Sequence, residues 1–166
     1  RHVPFGYVKG VLETIPPKKE SEKDIDVLIY GTKHARREKI INELSERGLK
    51  VLYVHQVFGR ERDALIARAK VVLHVHYYHH VDTKLSVSRL WPLFAKKAFV
   101  VSETSHHSPI ERELVVRNCG VFCKYEEIAD RVMDYIVEPE KREQMAQNAY
   151  DFLCDQRQEG VIPRDY

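Results

Sequence analysis

Five short apolar runs recur along the chain, each separated from the next by room for one helix. They are Asp26–Tyr30 (DVLIY), Lys50–Val54 (KVLYV), Val71–Val75 (VVLHV), Ala98–Ser102 (AFVVS) and Gly120–Cys123 (GVFC). The runs are rich in Val, Ile and Leu and are nearly continuous. A strand with one wet face alternates apolar and polar residues; a strand covered on both faces does not. Helical spacing fills the intervals. Residues 35–47 align Ile40, Ile41 and Leu44, with Gly48 as a stop, and 60–69 align Leu65, Ile66 and Ala69. Residues 84–95 gather Leu85, Val87, Leu90, Trp91 and Phe94, and 126–137 repeat Ile128, Val132 and Ile136. A last helix over 139–153 follows Pro139, with Met145, Ala149 and Phe152 inward. Strand–helix alternation of this kind predicts right-handed βαβ crossovers. The expected fold is α/β: a doubly wound, Rossmann-like parallel sheet flanked by helices.

The boundaries follow from composition. Residues 16–24 (PPKKESEKD) are polar and led by prolines. We therefore divide the chain into a lead-in segment and linker (1–24), a ligand-binding domain (25–154) and a polar tail or linker (155–166). A chain of 166 residues buries roughly 70% of its unfolded surface and needs no disulfide staples. The start at Arg1, with no apolar signal core, reads as a domain excised from something longer. No apolar run approaches the roughly 18 residues of a membrane span. Three cysteines, Cys119, Cys123 and Cys154, are an odd and sparse set; they predict free thiols and a reducing, cytoplasmic setting. The net charge of +2, from 27 basic and 25 acidic residues, offers no general attraction for nucleic acid.

In an open parallel sheet, ligands bind beyond the carboxyl ends of the strands, so the segments after each strand carry the chemistry. Gly31-Thr32-Lys33-His34-Ala35-Arg36-Arg37 follows the first strand. A glycine that lets the backbone turn, a helix N-terminus and three basic side chains predict an anion site. Neither a Walker A loop nor GxGxxG is present. Val57-Phe58-Gly59 follows the second strand and offers backbone against which a base could lie. His76-Tyr77-Tyr78-His79-His80, preceded by His74, follows the third. Metal is not expected there: HExxH is missing, adjacent His79 and His80 diverge, and Asp82 is the one well-spaced carboxylate. Stacked aromatics and imidazoles suit a sugar better. Ser86, Ser88 and Arg89 open the next helix and suit a pyrophosphate. After the fourth strand, His106 and His107 lie between Glu103 and Glu111, which are candidate acceptors for ribose or sugar hydroxyls.

The run Asp26–Phe152 resembles the C-terminal, donor-binding half of a GT-B glycosyltransferase of the glycosyltransferase-like type. The motifs that carry the resemblance are DVLIYG, RR, VFG followed by ERD, HYY, SR, FVVSE and GVFC followed by YEEI, in this order. The resemblance implies a nucleotide-diphosphate sugar, UDP- or GDP-linked, as donor and a glycan as acceptor. We expect no cofactor, with basic side chains in place of a divalent metal. By the same resemblance, Gly31, Arg36 and Arg37 hold the diphosphate and Val57, Phe58 and Gly59 face the base; Lys33 joins the anion site on the reading of the basic turn alone. Tyr77, Tyr78, Ser86 and Arg89 then lie beside the sugar and phosphates. The pattern departs at Leu90–Ala95 (LWPLFA), which lacks the glutamate that binds ribose in many such enzymes; Glu103 or Glu111 stands in as substitute. The acceptor and any catalytic base come from another domain of the same polypeptide, as in one module of a multidomain viral or microbial glycan-synthesis enzyme. The alternative is a nucleotide-binding module without catalysis.

Overall fold

The computed structural model describes residues 15–78, 85–105 and 108–155. Five parallel strands form one sheet: β1 (Ile25–Tyr30), β2 (Val51–Val54), β3 (Ala69–His74), β4 (Val100–Glu103) and β5 (Val121–Cys123), in the order β2-β1-β3-β4-β5. Helices α1 (Ala35–Glu46), α2 (Gly59–Arg68), α3 (Val87–Ala95), α4 (Pro109–Val116), α5 (Ile128–Ile136) and α6 (Pro139–Asp155) follow in chain order. The expected doubly wound α/β fold is the observed one.

The continuous apolar runs have the cause inferred from the sequence. Successive strand residues point to opposite faces, and both faces are covered. Leu28, Val72 and Val100 pack with Ile66 of α2, Leu90, Trp91 and Phe94 of α3, Leu114 of α4 and Phe152 of α6. On the other face, Val27, Ile29, Val71, Leu73 and Val101 pack with Ile40 and Leu44 of α1 and Ile128 and Val132 of α5. Several element bounds move by one to three residues, and one helix is added. Residue Ala69 ends α2 as its C-cap and opens β3, so the strand starts two residues earlier than the apolar run suggests. Helix α4 occupies part of a stretch that reads as loop. Its signal was present: Ser108 caps it by accepting the Glu111 N–H at 3.2 Å, and Pro109 stands in its first turn, both ordinary helix-start devices.

The linker is fastened to the domain by one buried charge. Arg142 of α6 is 1% exposed. One guanidinium nitrogen donates to the carbonyls of Tyr135 and Ile136 at 2.6 Å each, which closes the end of α5. Another donates to Glu20 in the 3-10 turn Glu20–Glu22 ahead of β1. Removing one partner of a buried pair strands the other. Arg142→Ala is therefore expected to lower unfolding free energy by about 3 kcal/mol, read by urea denaturation at neutral pH.

Candidate functional site

Chain order runs outward from β1 to β2 in one direction and from β1 to β3 in the other. The crevice between the carboxyl ends of β1 and β3 is thus the switch point at which open α/β sheets take ligands. Gly31 stands there with φ +113°, a conformation that favours glycine. The Tyr53 hydroxyl of β2 donates to its carbonyl at 2.7 Å, and its own N–H donates to the Val54 carbonyl at 3.1 Å. The turn is therefore held by the neighbouring strand.

Two guanidinium groups press on the face where Gly31 lacks a side chain. A β-carbon at Gly31 would lie 3.0 Å from Nη1 of Arg37 and 3.1 Å from Nη2 of Arg89. Arg37, from the first turn of α1, is buried and donates to the carbonyls of Thr32 (2.6 Å) and Val75 (3.0 Å). Arg89, from the first turn of α3, donates to the Tyr30 carbonyl at 2.8 Å and lies 4.7 Å over the Tyr30 ring. Among the described residues neither forms an ion pair with a carboxylate. Their partners are neutral carbonyls, and Arg37 Nε is buried without a partner. Each guanidinium carries five N–H donors, so donors remain at a point of concentrated positive charge.

That charge acts on the neighbouring groups. Burial first, and then the Arg89 charge, pushes the Arg37 pKa down. Burial, followed by the charges of Arg37 and Arg36, lowers that of His34. His74 is pushed down to about 3 by burial, with His76, Arg89 and Arg37 adding to the effect. Its ring meets His76 edge-on at 5.1 Å and its Nδ1 lies 3.0 Å from the Ser102 hydroxyl. A histidine kept neutral in the fold but free to protonate when unfolded favours the unfolded state as pH falls. Its share of stability is whole above about pH 6.5 and is lost progressively as pH drops toward 3. Unfolding free energy measured at pH 7 and at pH 4.5 is expected to fall by about 2 kcal/mol on this account, and His74→Gln is expected to shrink that difference.

The other sequence-derived candidates fall into distinct places. Lys33 is exposed and pairs with Glu38 at 2.8 Å. Arg36 faces away from Gly31: its guanidinium lies on Glu103, with nitrogen–oxygen distances of 2.5 and 3.1 Å. Glu103 ends β4 and is buried; it also accepts the His76 N–H at 2.9 Å. Glu111 is buried too, and holds the Thr104 hydroxyl and the Ser105 N–H. Both carboxylates thus serve internal hydrogen bonds, where the sequence offers them as acceptors for sugar hydroxyls. Val57 is half-buried, the Phe58 ring is 72% exposed and Gly59 opens α2 with φ +55° and open space beside it. Tyr77 and Tyr78 are exposed after β3, with ring centroids 4.7 Å apart, and Tyr77 also packs on His34 at 4.8 Å. The strand order sets the Phe58 loop and the Tyr77 loop on either side of the Gly31 turn. Ser86 is the N-cap residue of α3, although its hydroxyl accepts no capping bond. His79, His80, Asp82, His106 and His107 lie outside the described residues, as do 1–14 of the lead-in segment and 156–166 of the tail.

Sequence reasoning missed Tyr53, His34 and Tyr125. Tyr53 sits within an apolar run with nothing to mark its hydroxyl as the anchor of Gly31. The metal-independent expectation also passes over one Asp-x-Asp spacing, Asp24-Ile25-Asp26. It lies at the start of β1, at the pole opposite the crevice, where Asp24 pairs with Arg68 at 2.6 Å and Asp26 with Lys70 at 2.7 Å. Among the described residues no group of three or more His, Cys, Asp or Glu side chains is placed to hold a metal ion. The three cysteines are free thiols, and burial pushes Cys119 up to about 11 and Cys123 up to about 12. No described helix is long and apolar enough to cross a membrane.

Residues 10–159 match the sequence model of the glycosyl transferase-like family. The chain belongs to that family. It is 33% identical over 138 residues to "Uncharacterized protein L138" of Acanthamoeba polyphaga mimivirus, covering 80% of this chain and 15% of that protein. It is 28% identical over 137 residues to "Uncharacterized protein L140" of the same virus, covering 81% of this chain and 44% of that protein. The chain therefore spans less than half the length of these curated relatives. Among solved structures it is similar to sucrose-phosphate synthase from Thermosynechococcus elongatus, with a TM-score of 0.61 and 13% identity over 90% of this chain and 47% of that one. That likeness shows the fold, a GT-B, Rossmann-like unit. Family and fold together support a role for this glycosyl transferase-like domain in glycosyl transfer.

Proposed function

We propose that this domain binds the nucleotide-diphosphate sugar donor, UDP- or GDP-linked, of a glycosyltransferase whose acceptor is a glycan. The observation that carries the reading is the Arg37–Arg89 pair on Gly31, two cations with no carboxylate partner among the described residues. Like charges brought together at a partly buried point are unfavourable until an anion joins them. A diphosphate brings two charged groups and can engage both arginines. In transfer, the bond from the sugar anomeric carbon to the diphosphate oxygen breaks and negative charge grows on the departing group. Preorganised guanidinium donors stabilise that charge without reorganising. Arginine is suited to the task, since its planar fork matches phosphate oxygens.

The flanking loops complete the reading. Val57, Phe58 and Gly59 form the side for the base, and Tyr77 and Tyr78 the side for the sugar. Ser86 opens the helix that delivers Arg89. The acceptor and any general base come from another domain of the same polypeptide. The arginines take the role of a divalent ion, so metal is not required.

The test is thermal melting of the domain with nucleoside mono- and diphosphates and their sugar conjugates, with and without EDTA. A ligand at 100 times its dissociation constant stabilises by about 2.7 kcal/mol. The expected result is a raised melting temperature with UDP or GDP that EDTA leaves in place. A shift that vanishes on chelation and returns with Mn²⁺ removes the metal-independent reading. Release of nucleoside diphosphate from the sugar conjugate in the presence of a glycan separates a transferase from a module that only binds.

A further inference from the structure

Adjacent arginines at the head of α1 meet opposite electrostatic fates. Arg37 turns to the β1–β3 crevice and donates to the carbonyls of Thr32 and Val75. Arg36 turns toward β4 and is neutralised. Its two terminal nitrogens grip both oxygens of Glu103, one of them also donates to the His76 carbonyl at 2.9 Å, and its guanidinium lies 4.2 Å over the Tyr125 ring. The Tyr125 hydroxyl in turn donates to the Arg36 carbonyl at 2.8 Å. Three arginines thus stand at the strand ends, and the ion-paired carboxylate among them is placed on one.

We propose that Glu103 is a positioning residue that sets the charge of the crevice: it holds Arg36 as an internal counter-ion, so that Arg37 and Arg89 alone present charge to an incoming diphosphate. The inference rests on the anion-binding reading above. Arg36 has a carbonyl and an aromatic ring to hold it in place without the carboxylate, so Glu103 is not needed merely to anchor the side chain. It also accepts the His76 N–H, a bond that a neutral amide oxygen makes as well; what only the carboxylate supplies is negative charge beside the crevice, which limits how tightly an anion is held. A donor site that must release its diphosphate product needs such a limit.

The experiment is a double-mutant cycle with Glu103→Gln, Arg36→Ala and the pair, titrated by calorimetry with UDP and GDP at several salt concentrations. Circular dichroism confirms folding of each. Glu103→Gln removes the charge at nearly constant volume, and its one remaining acceptor oxygen can take the His76 N–H and Arg36 Nη1, while the Nη2 contact is lost. The variant is expected to tighten diphosphate binding about fivefold, the upper end of what a solvent-screened ion pair contributes. The dependence of affinity on salt should steepen with it. Arg36→Ala leaves the carboxylate unneutralised and is expected to weaken binding about fivefold, and the double variant returns toward the wild-type value. A purely structural pair gives a different pattern: Glu103→Gln weakens binding or leaves it unchanged, with the salt dependence unmoved, and that result overturns the role assigned to Glu103. Wild-type protein that binds neither UDP nor GDP overturns the crevice reading itself, and this role with it.

Discussion

Replacing Arg37 and Arg89 together is expected to abolish measurable binding of UDP or GDP. A hydrogen bond to a charged group contributes roughly 1.5–3 kcal/mol, so each single substitution should weaken binding ten- to a hundredfold and the pair more. The two singles should also differ in their effect on the fold. Arg37 holds the Thr32 and Val75 carbonyls, and Arg37→Ala leaves them without those donors, so some stability is lost. Among the described residues Arg89 donates to the Tyr30 carbonyl alone, and it lies beside a second cation. Arg89→Met removes a like charge, and its unfolding free energy should stay level or rise by up to about 1 kcal/mol. A residue whose loss harms binding and spares the fold is kept for function. Calorimetric titration and urea denaturation of the same three proteins read both halves of the prediction. Lys33→Ala is the control: its ammonium is exposed and paired with Glu38, and affinity should move by less than about twofold.

Gly31→Val carries the other large effect. At φ +113° a β-branched residue is strained by about 1–3 kcal/mol. Its β-carbon would also land 3.0 Å from Arg37 and 3.1 Å from Arg89. The Arg89 side chain is partly exposed and can swing aside; Arg37 is buried and tied to Val75. The variant should therefore lose about 2 kcal/mol of stability and bind diphosphate at least thirtyfold more weakly. Gly31→Ala should show the same two losses in smaller measure. Gly59→Ala offers the contrast. It shares a positive φ of 55° but has open space beside it, so its effect on diphosphate affinity should be slight.

Much of this fold is legible in the chain because its causes are local. The strands read as unbroken apolar runs since each residue from Val27 to Ile29 faces one covered side or the other. Helices α1 and α5 show their buried faces as spaced isoleucines and valines. Helix α4 was harder to see: only Ile110, Leu114 and two valines mark it, and Val115 and Val116 are themselves exposed. Its start was written in Ser108, Pro109 and Glu111, which a search for apolar spacing passes over.

The candidate site is legible in part. The glycine turn and its basic cluster stand out because strand ends are where such loops gather. Which arginine turns to which partner is a tertiary matter. Arg36 and Arg37 are neighbours in sequence, yet one finds Glu103, 67 residues away, and the other Val75, 38 residues away. No spacing rule separates them. Glu103 and Glu111 read as loop carboxylates because their partners are set by the fold: Arg36 lies 67 residues from Glu103, and the N–H groups of His76 and Ser105 are backbone atoms that carry no sequence signature.

On the proposed reading, the cation pair at the β1–β3 crevice is the seat of the donor's diphosphate. Calorimetric titration of the wild-type domain with UDP and UMP, and with GDP and GMP, tests it most directly. The diphosphate of at least one pair should bind tenfold or more tightly than its monophosphate, and that advantage should fade as salt is raised. Equal affinity for mono- and diphosphates, or no binding of either, would contradict the claim.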